Sequence, residues 1–313
     1  MRYSIVLASL AASVVHGHGL ITQIIGANCV IMPGLTLTDG TPRNCVVNSC
    51  GAQADTGIIR DSEMASGKYG PLGWTQGKGA VNIEAVLKNF MCTGQEPAAN
   101  HGAAESVGVE DNLGTAAAAS RNRALQRRED DRSKYCGHSG GSSFFNLPVI
   151  GVLGIGGERT SWPVESRQED YHCAGKDKGL PTADDDGKIY VIYRQVNQDG
   201  AGPMTAAIDP TSCGSDPDAF VGVDILQDVP GSGLSGLSIS TNTDYKMIIQ
   251  MPEDMICKCS MAGVNNICVV RIRNQALAGP FGGSAIFTQS KAKVQQALAY
   301  RLRKRMQIGQ RKA

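Results

Sequence analysis

Three segments in the second half of the chain have the apolar pattern of β-strands. They are KIYVIYRQVN (188–197), DYKMIIQMP (244–252) and NICVVRIRNQ (266–275). Val, Ile and Tyr dominate them, residue types that suit a pleated, half-buried surface. Gly and Pro turns separate these runs at short spacing, as in a β-sandwich. Near the N-terminus HGLITQIIGANCVIMPGLTL (18–37) reads as short strands broken by Gly and Pro. The clearest helical period is in AVNIEAVLKNFM (80–91), with Val81, Ala85, Leu87 and Met91 near 3.6 spacing. A second helical spacing, at Val294, Leu298 and Leu302, falls in a basic tail over residues 291–313. Residues 93–132 are rich in Ala, Gly and Glu and predict a flexible linker, with a dibasic pair at Arg127-Arg128. Residues 133–180 are Gly- and Ser-rich and irregular. The pattern predicts one mostly β domain, an immunoglobulin-like β-sandwich with long loops and a short helix. Its halves are residues 18–92 and 181–290, joined by the linker and irregular insert of 93–180.

The first residues change the cellular picture. Tyr3 to Val15 is an uncharged apolar run after Arg2, too short to span a bilayer and the right length for a signal peptide. Cleavage after Gly17 makes residues 1–17 the leader and His18 the new N-terminus; a cut after Ser13 is the alternative. No later apolar run is long enough for a membrane-spanning helix. The ten cysteines then predict a disulfide framework in an oxidising compartment. No Asn-x-Ser/Thr sequon occurs. The net charge is +1, but residues 291–313 carry eight Lys/Arg and no acid, which leaves −7 for residues 1–290. The tail suits an acidic polymer or anionic lipid, and reads first as a solvated or proteolysed end.

Few constellations carry chemistry. An amino-terminal His18 offers its amine and ring nitrogen, and a second imidazole would complete a three-nitrogen plane suited to Cu(II). In this it resembles the lytic polysaccharide monooxygenases, whose histidine brace holds copper. The resemblance assigns His18 and His101 as metal ligands, with Phe287 (or Phe281) as the axial ring; His138 and His172 are the other imidazoles. Gly137-His138-Ser139-Gly140-Gly141 matches G-x-S-x-G but lacks the flanking strand and helix of a nucleophile elbow. The glycines of 149–160 do not follow a dinucleotide-binding spacing. Cys257-Lys258-Cys259 has no second pair at zinc spacing, so disulfides are the expected role. Asp184-Asp185-Asp186 reads as a solvated turn. Only Trp74 and Trp162 are available for an aromatic carbohydrate platform.

Two blocks, residues 18–82 and 180–290, with the ladder GLP…VNQDGAGP…AGPFGG, resemble the secreted appressorium- and haustorium-associated virulence-factor family of pathogenic fungi. The resemblance implies a fungal source, an extracellular or infection-structure location, and a role in host penetration. It transfers no catalytic activity. Copper is the one cofactor to weigh, and host or fungal cell-wall polysaccharide is the partner to weigh; nucleic acid is not expected. Nothing in the pattern sets the oligomeric state. Residues 133–174 depart from the family pattern. Ser133-Lys134-Tyr135 is encodable with a splice-donor sequence and the Cys173 region with an acceptor, so this stretch reads as a retained intron. Eight cysteines lie outside it: Cys29, Cys45, Cys50, Cys92, Cys213, Cys257, Cys259 and Cys268. The expectation is four disulfides among those eight, with Cys257–Cys268 and Cys45–Cys50 as adjacent candidates. Cys136 and Cys173 are expected to pair with each other or to be absent from the true protein.

Overall fold

A computed structural model describes residues 18–37, 55–76, 78–94, 158–159, 168–231, 238, 240–241, 243–276 and 279–310. Two antiparallel sheets pack face to face. The first runs β11 (Ile225–Gln227), β12 (Thr243–Gln250), β8 (Lys188–Gln195), β1 (Gly19–Ile25) and β2 (Ile31–Pro33), with β6 (Glu158–Arg159) on β12. The second runs β10 (Val221–Val223), β9 (Thr205–Asp209), β14 (Val264–Arg273), β15 (Phe281–Gln289), β3 (Gly57–Ile58), β4 (Trp74–Thr75) and β5 (Gly79–Ala80). β13 (Cys259–Met261) and β7 (Thr182–Ala183) flank β14 and β15, and β7 is parallel to β15. The expected β-sandwich is therefore observed. Its strands β8, β12 and β14 occupy the three segments that the pattern singled out.

β1 is the central piece. It is bonded on both edges, to β2 and β8, and one of its faces lies against β15. A strand so enclosed reads as a nearly continuous apolar run, as GLITQII does. Ile21, Val191, Tyr193, Met247 and Ile249 from the first sheet, and Val270, Ile272, Ala285 and Phe287 from the second, are buried in one core. The sheets also share a main-chain bond, from Leu35 N to Ser284 O at 2.9 Å. Within the first sheet Arg194 and Asp244 face each other across β8 and β12, Nη1 to Oδ1 at 3.3 Å, both buried. At the end of β9 the Asp209 carboxylate accepts from Ser212 Oγ and from the amides of Thr211, Ser212 and Gly214. Burial pushes that carboxyl up, but these donors outweigh it and hold it below the usual carboxylate range.

The helices are α1 (Asp61–Ala65), α2 (Ile83–Phe90) and α3 (Lys291–Gln310). α2 is shorter than the 80–91 expectation at its start, because residues 79–80 pair with β4 instead. Asn82 then caps the helix, its Oδ1 accepting from Ala85 N at 3.0 Å. The buried face of α2 (Ile83, Val86, Leu87, Asn89, Phe90) meets a 3₁₀ turn at Gln168–Tyr171.

That turn corrects the cysteine expectation. Cys173 is disulfide-bonded to Cys92, two residues after α2, and not to Cys136. Tyr171 is 2% exposed and its hydroxyl donates to Gln23 on β1 at 3.5 Å. Gln168 is 3% exposed and its Nε2 donates to Gly34 O at 3.1 Å. The C-terminal end of the 133–174 stretch, from Gln168, is thus packed as a plug against the sandwich. Cys213–Cys259 and Cys257–Cys268 complete the disulfides among the described residues, the second as expected from proximity. Cys29 forms no disulfide with a described residue. Cys45, Cys50, Cys136, the linker and the dibasic Arg127-Arg128 lie outside the described residues.

Candidate functional site at His18

His18 sits immediately before β1 and is 1% exposed. Its carbonyl accepts from Val196 N at 2.9 Å, which extends the β1–β8 ladder by one step. The chain then turns through a 3₁₀ segment at Gln198–Gly200 and passes against His18 again. Glycine is required on both sides of this crossing. A Cβ on Gly200 would lie 2.1 Å from His18 O, and one on Gly19 would lie 1.9 Å from the Tyr193 hydroxyl. Tyr193 donates that hydroxyl to Gly200 O at 2.9 Å, and complete burial pushes its phenol far up, so the group stays a donor.

The Asn197 carboxamide holds His18 at two atoms. Oδ1 accepts from the His18 main-chain nitrogen at 2.8 Å, and Nδ2 donates to ring Nδ1 at 3.0 Å. Because an amide NH₂ only donates, Nδ1 is the accepting nitrogen and the ring proton sits on Nε2. The imidazole is stacked on Phe281, centroids 5.3 Å apart at 25°. Asn274 ties these parts together. Its Nδ2 donates to Asp199 O at 2.8 Å, while its Oδ1 accepts from Phe281 N at 3.0 Å and Ala276 N at 3.1 Å. His18, Asn197, Asp199, Asn274 and Phe281 thus form one buried polar and aromatic knot between the two sheets.

The structure brings His18 together with Phe281, and not with Phe287. Phe287 is fully buried opposite Cys268, six residues along β15 from Phe281 and so about 20 Å away along the strand. His172 is in the α2 plug, with Nδ1 2.7 Å from Asn89 Oδ1. His101 and His138 lie outside the described residues, as do Ser139 and Trp162. The two nitrogens that a brace would offer to copper, the main-chain nitrogen and Nδ1, are both engaged by Asn197. A carboxamide NH₂ and a phenyl ring are not a copper ligand set. The partners shown for His18 among the described residues therefore do not fit copper, and no step is derived through it.

The remaining expected sites resolve into structure. Cys257 and Cys259 belong to two different disulfides. Asp184 accepts from Lys188 N at 2.7 Å and from the Tyr190 hydroxyl, and Asp186 pairs with Lys188 at 3.2 Å, so the acidic run closes a turn. Trp74 stacks on Tyr69 with centroids 5.2 Å apart, and its Nε1 donates to Glu63 Oε2 at 2.7 Å. Sequence reasoning missed Asn197, Asn274 and Phe281 as a unit. The signal that would have found them is the pair of stretches VNQDGAGP and RNQALAGPF, where an Asn precedes a Gly-Pro turn in both.

Removal of the Asn197 grip is the direct test of the knot. Asn197→Ala is expected to cost about 1–3 kcal/mol, since it leaves the polar atoms of a buried histidine without those bonds. Calorimetry should then show a lower Tm by several degrees, at roughly 2–4 °C per kcal/mol for a domain of this size. Asn197→Asp keeps the acceptor and loses the donor, and should melt differently from wild type. An unchanged melting curve for the alanine variant would remove the knot as a stabilising element.

A buried His18, a two-sheet sandwich around β1 and the disulfides Cys92–Cys173, Cys213–Cys259 and Cys257–Cys268 define a disulfide-stabilised β-sandwich. Residues 16–282 match the Egh16-like virulence factor family, and the chain belongs to it. It is 40% identical to the appressoria-specific virulence factor GAS2 of Pyricularia oryzae over 311 residues, 97% of this chain and 95% of that protein. It is also 32% identical to the appressoria-specific virulence factor GAS1 of Pyricularia oryzae, over 33% of this chain and 40% of that protein. No solved structure matches the chain.

Proposed function

We propose that this protein is a secreted virulence factor that acts at the surface of a fungal infection structure during host penetration. The observation that carries the reading is the 40% identity across 97% of the chain to a protein named for the appressorium. The apolar run Tyr3–Val15 supports passage into the secretory pathway, and disulfides support an oxidising destination. No helix of the described residues is long and apolar enough to cross a membrane. On this reading cleavage after Gly17 gives His18 a free amine, which the Asn197 carboxamide receives at the position of the present main-chain nitrogen. The knot then fixes the new terminus inside the sandwich. The function is non-catalytic: a rigid surface delivered to the contact zone.

The test is genetic and biochemical together. Deletion of the gene in its source fungus is expected to leave infection structures able to form but less able to penetrate, with penetration restored by the wild-type gene. Edman sequencing of protein from the culture medium is expected to begin at His18. Normal penetration by the deletion strain would overturn the reading, as would recovery of the protein only inside the cells with its leader intact.

A further inference from the structure

The helix α3 leaves the sandwich after β15 and packs on it through its first turns only. Lys293 and Ala297 are buried, and Arg301 Nε donates to Asp254 O at 2.7 Å. Beyond Arg301 each residue to Ile308 is exposed. Twenty residues of helix make an arm about 30 Å long, so its second half stands clear of the domain.

That free half carries an unusual combination. Leu298, Leu302 and Met306 follow one another at i, i+4 and i+8, and are 49%, 58% and 62% exposed. At ~100° per residue they form one row, turned away from the buried Lys293 and Ala297. Single exposed apolar side chains are ordinary on a protein surface. Here, however, four of the six exposed large apolar residues among the described residues are on α3, with Ile308 the fourth. Arg303 lies on one flank of the row and Arg305 on the other. Lys304 lies near the Tyr300 ring, 5.9 Å from its centroid. No Asp or Glu occurs anywhere in residues 291–313.

We propose that α3 docks on an anionic lipid bilayer, lying in the interface with Leu298, Leu302 and Met306 in the acyl boundary and the flanking Arg303 and Arg305 at the headgroups. The charge decides the sign of the surface, because the helix is wholly cationic while the remainder of the chain is net negative. The apolar row decides its kind. A soluble polyanion would use the cations and leave the row in water, whereas a bilayer takes both. Lys and Arg side chains reach along an apolar surface while their charged heads remain at the polar boundary. The helix is too polar to span, so it lies on the surface and anchors the sandwich beside it.

Co-sedimentation of the full mature chain with vesicles tests this. Binding is expected to vesicles of phosphatidylcholine with phosphatidylserine, and not to phosphatidylcholine alone. It should weaken as salt rises. Replacement of Arg303 and Arg305 by Gln is expected to weaken binding about twenty-five-fold, at roughly fivefold per cation near an anionic surface. Leu302→Gln with Met306→Gln leaves the charge unchanged and keeps good helix formers. That pair is expected to weaken vesicle binding roughly tenfold or more through loss of apolar burial alone. Circular dichroism and Tm should stay at wild-type values for both sets, since these positions are solvated. Equal binding to both vesicle types, or to neither, overturns the proposal. So does unchanged vesicle affinity in the Leu302/Met306 variant with retention on heparin, which would assign the helix to a soluble polyanion.

Discussion

Cys92→Ala and Cys173→Ala are each expected to destabilise the protein by about 4–5 kcal/mol. The bond closes a loop with a sequence separation of 81, and the chain-entropy estimate for a loop of that length is about 4.5 kcal/mol. A typical domain has roughly 5–15 kcal/mol in total, so either variant loses a large share of its margin. The double variant should be no worse than either single one, because both remove the same cross-link. Denaturant titration of the three proteins under non-reducing conditions checks this. The bond also fixes the plug: Cys173 N donates to Asn89 O at 3.0 Å, and Gly175 N to Phe90 O at 2.9 Å. Excision of residues 133–174 would remove Tyr171 from the core and leave Cys92 without its partner. A chain lacking that stretch is therefore expected to be no more stable than Cys92→Ala. Stability equal to wild type in the single variants would show that the plug is held by packing alone.

The second large effect is electrostatic. Asp244→Ala is expected to cost about 3–5 kcal/mol by leaving the Arg194 guanidinium charged inside the first sheet. The side chains of Arg194 and Asp244 are 3% and 7% exposed, so water cannot take over the lost carboxylate. Arg194→Met combined with Asp244→Leu removes both charges at similar volume and should recover most of the loss. Equilibrium unfolding of the two proteins separates these outcomes. If the single and double variants are equally unstable, the pair contributes through shape and not through charge.

The strands were legible because burial imposes a period. β8, β12 and β14 run for eight to ten residues with Ile, Val and Tyr at buried positions, and each fell where the pattern placed it. The α3 helix showed its spacing equally well. β15 carries no clear strand signal in the sequence, because FGGSAIFTQ contains two adjacent glycines. The fold explains them: a Cβ on Gly282 would lie 1.9 Å from Ile272 O, so a neighbouring strand's backbone occupies that space. The plug was illegible for a different reason. Gln168, Asp170 and Tyr171 are polar or amphipathic residues with no period, and only their long-range partners on α2 and β1 make them part of the core. At the candidate site, His18 was legible from the leader boundary. Phe281 was legible only as the alternative to Phe287, and Asn197 not at all, since they meet it from positions roughly 260 and 180 residues further along.

β1 pairs with β8 in a register that sets Gly19 opposite Gln195. During synthesis the first strand therefore has no main-chain partner on that edge until 176 more residues have been made. At about 5–20 residues per second this is a wait of roughly ten to thirty-five seconds. Throughout it, an Ile-rich strand whose other edge can pair early with the nearby β2 keeps its β8 edge open. A topology so non-local also folds slowly once complete. The central position that makes β1 the best-protected strand of the finished molecule makes it the most vulnerable one of the nascent chain. Yield of the protein should accordingly depend on the chaperones that hold GLITQII during that interval.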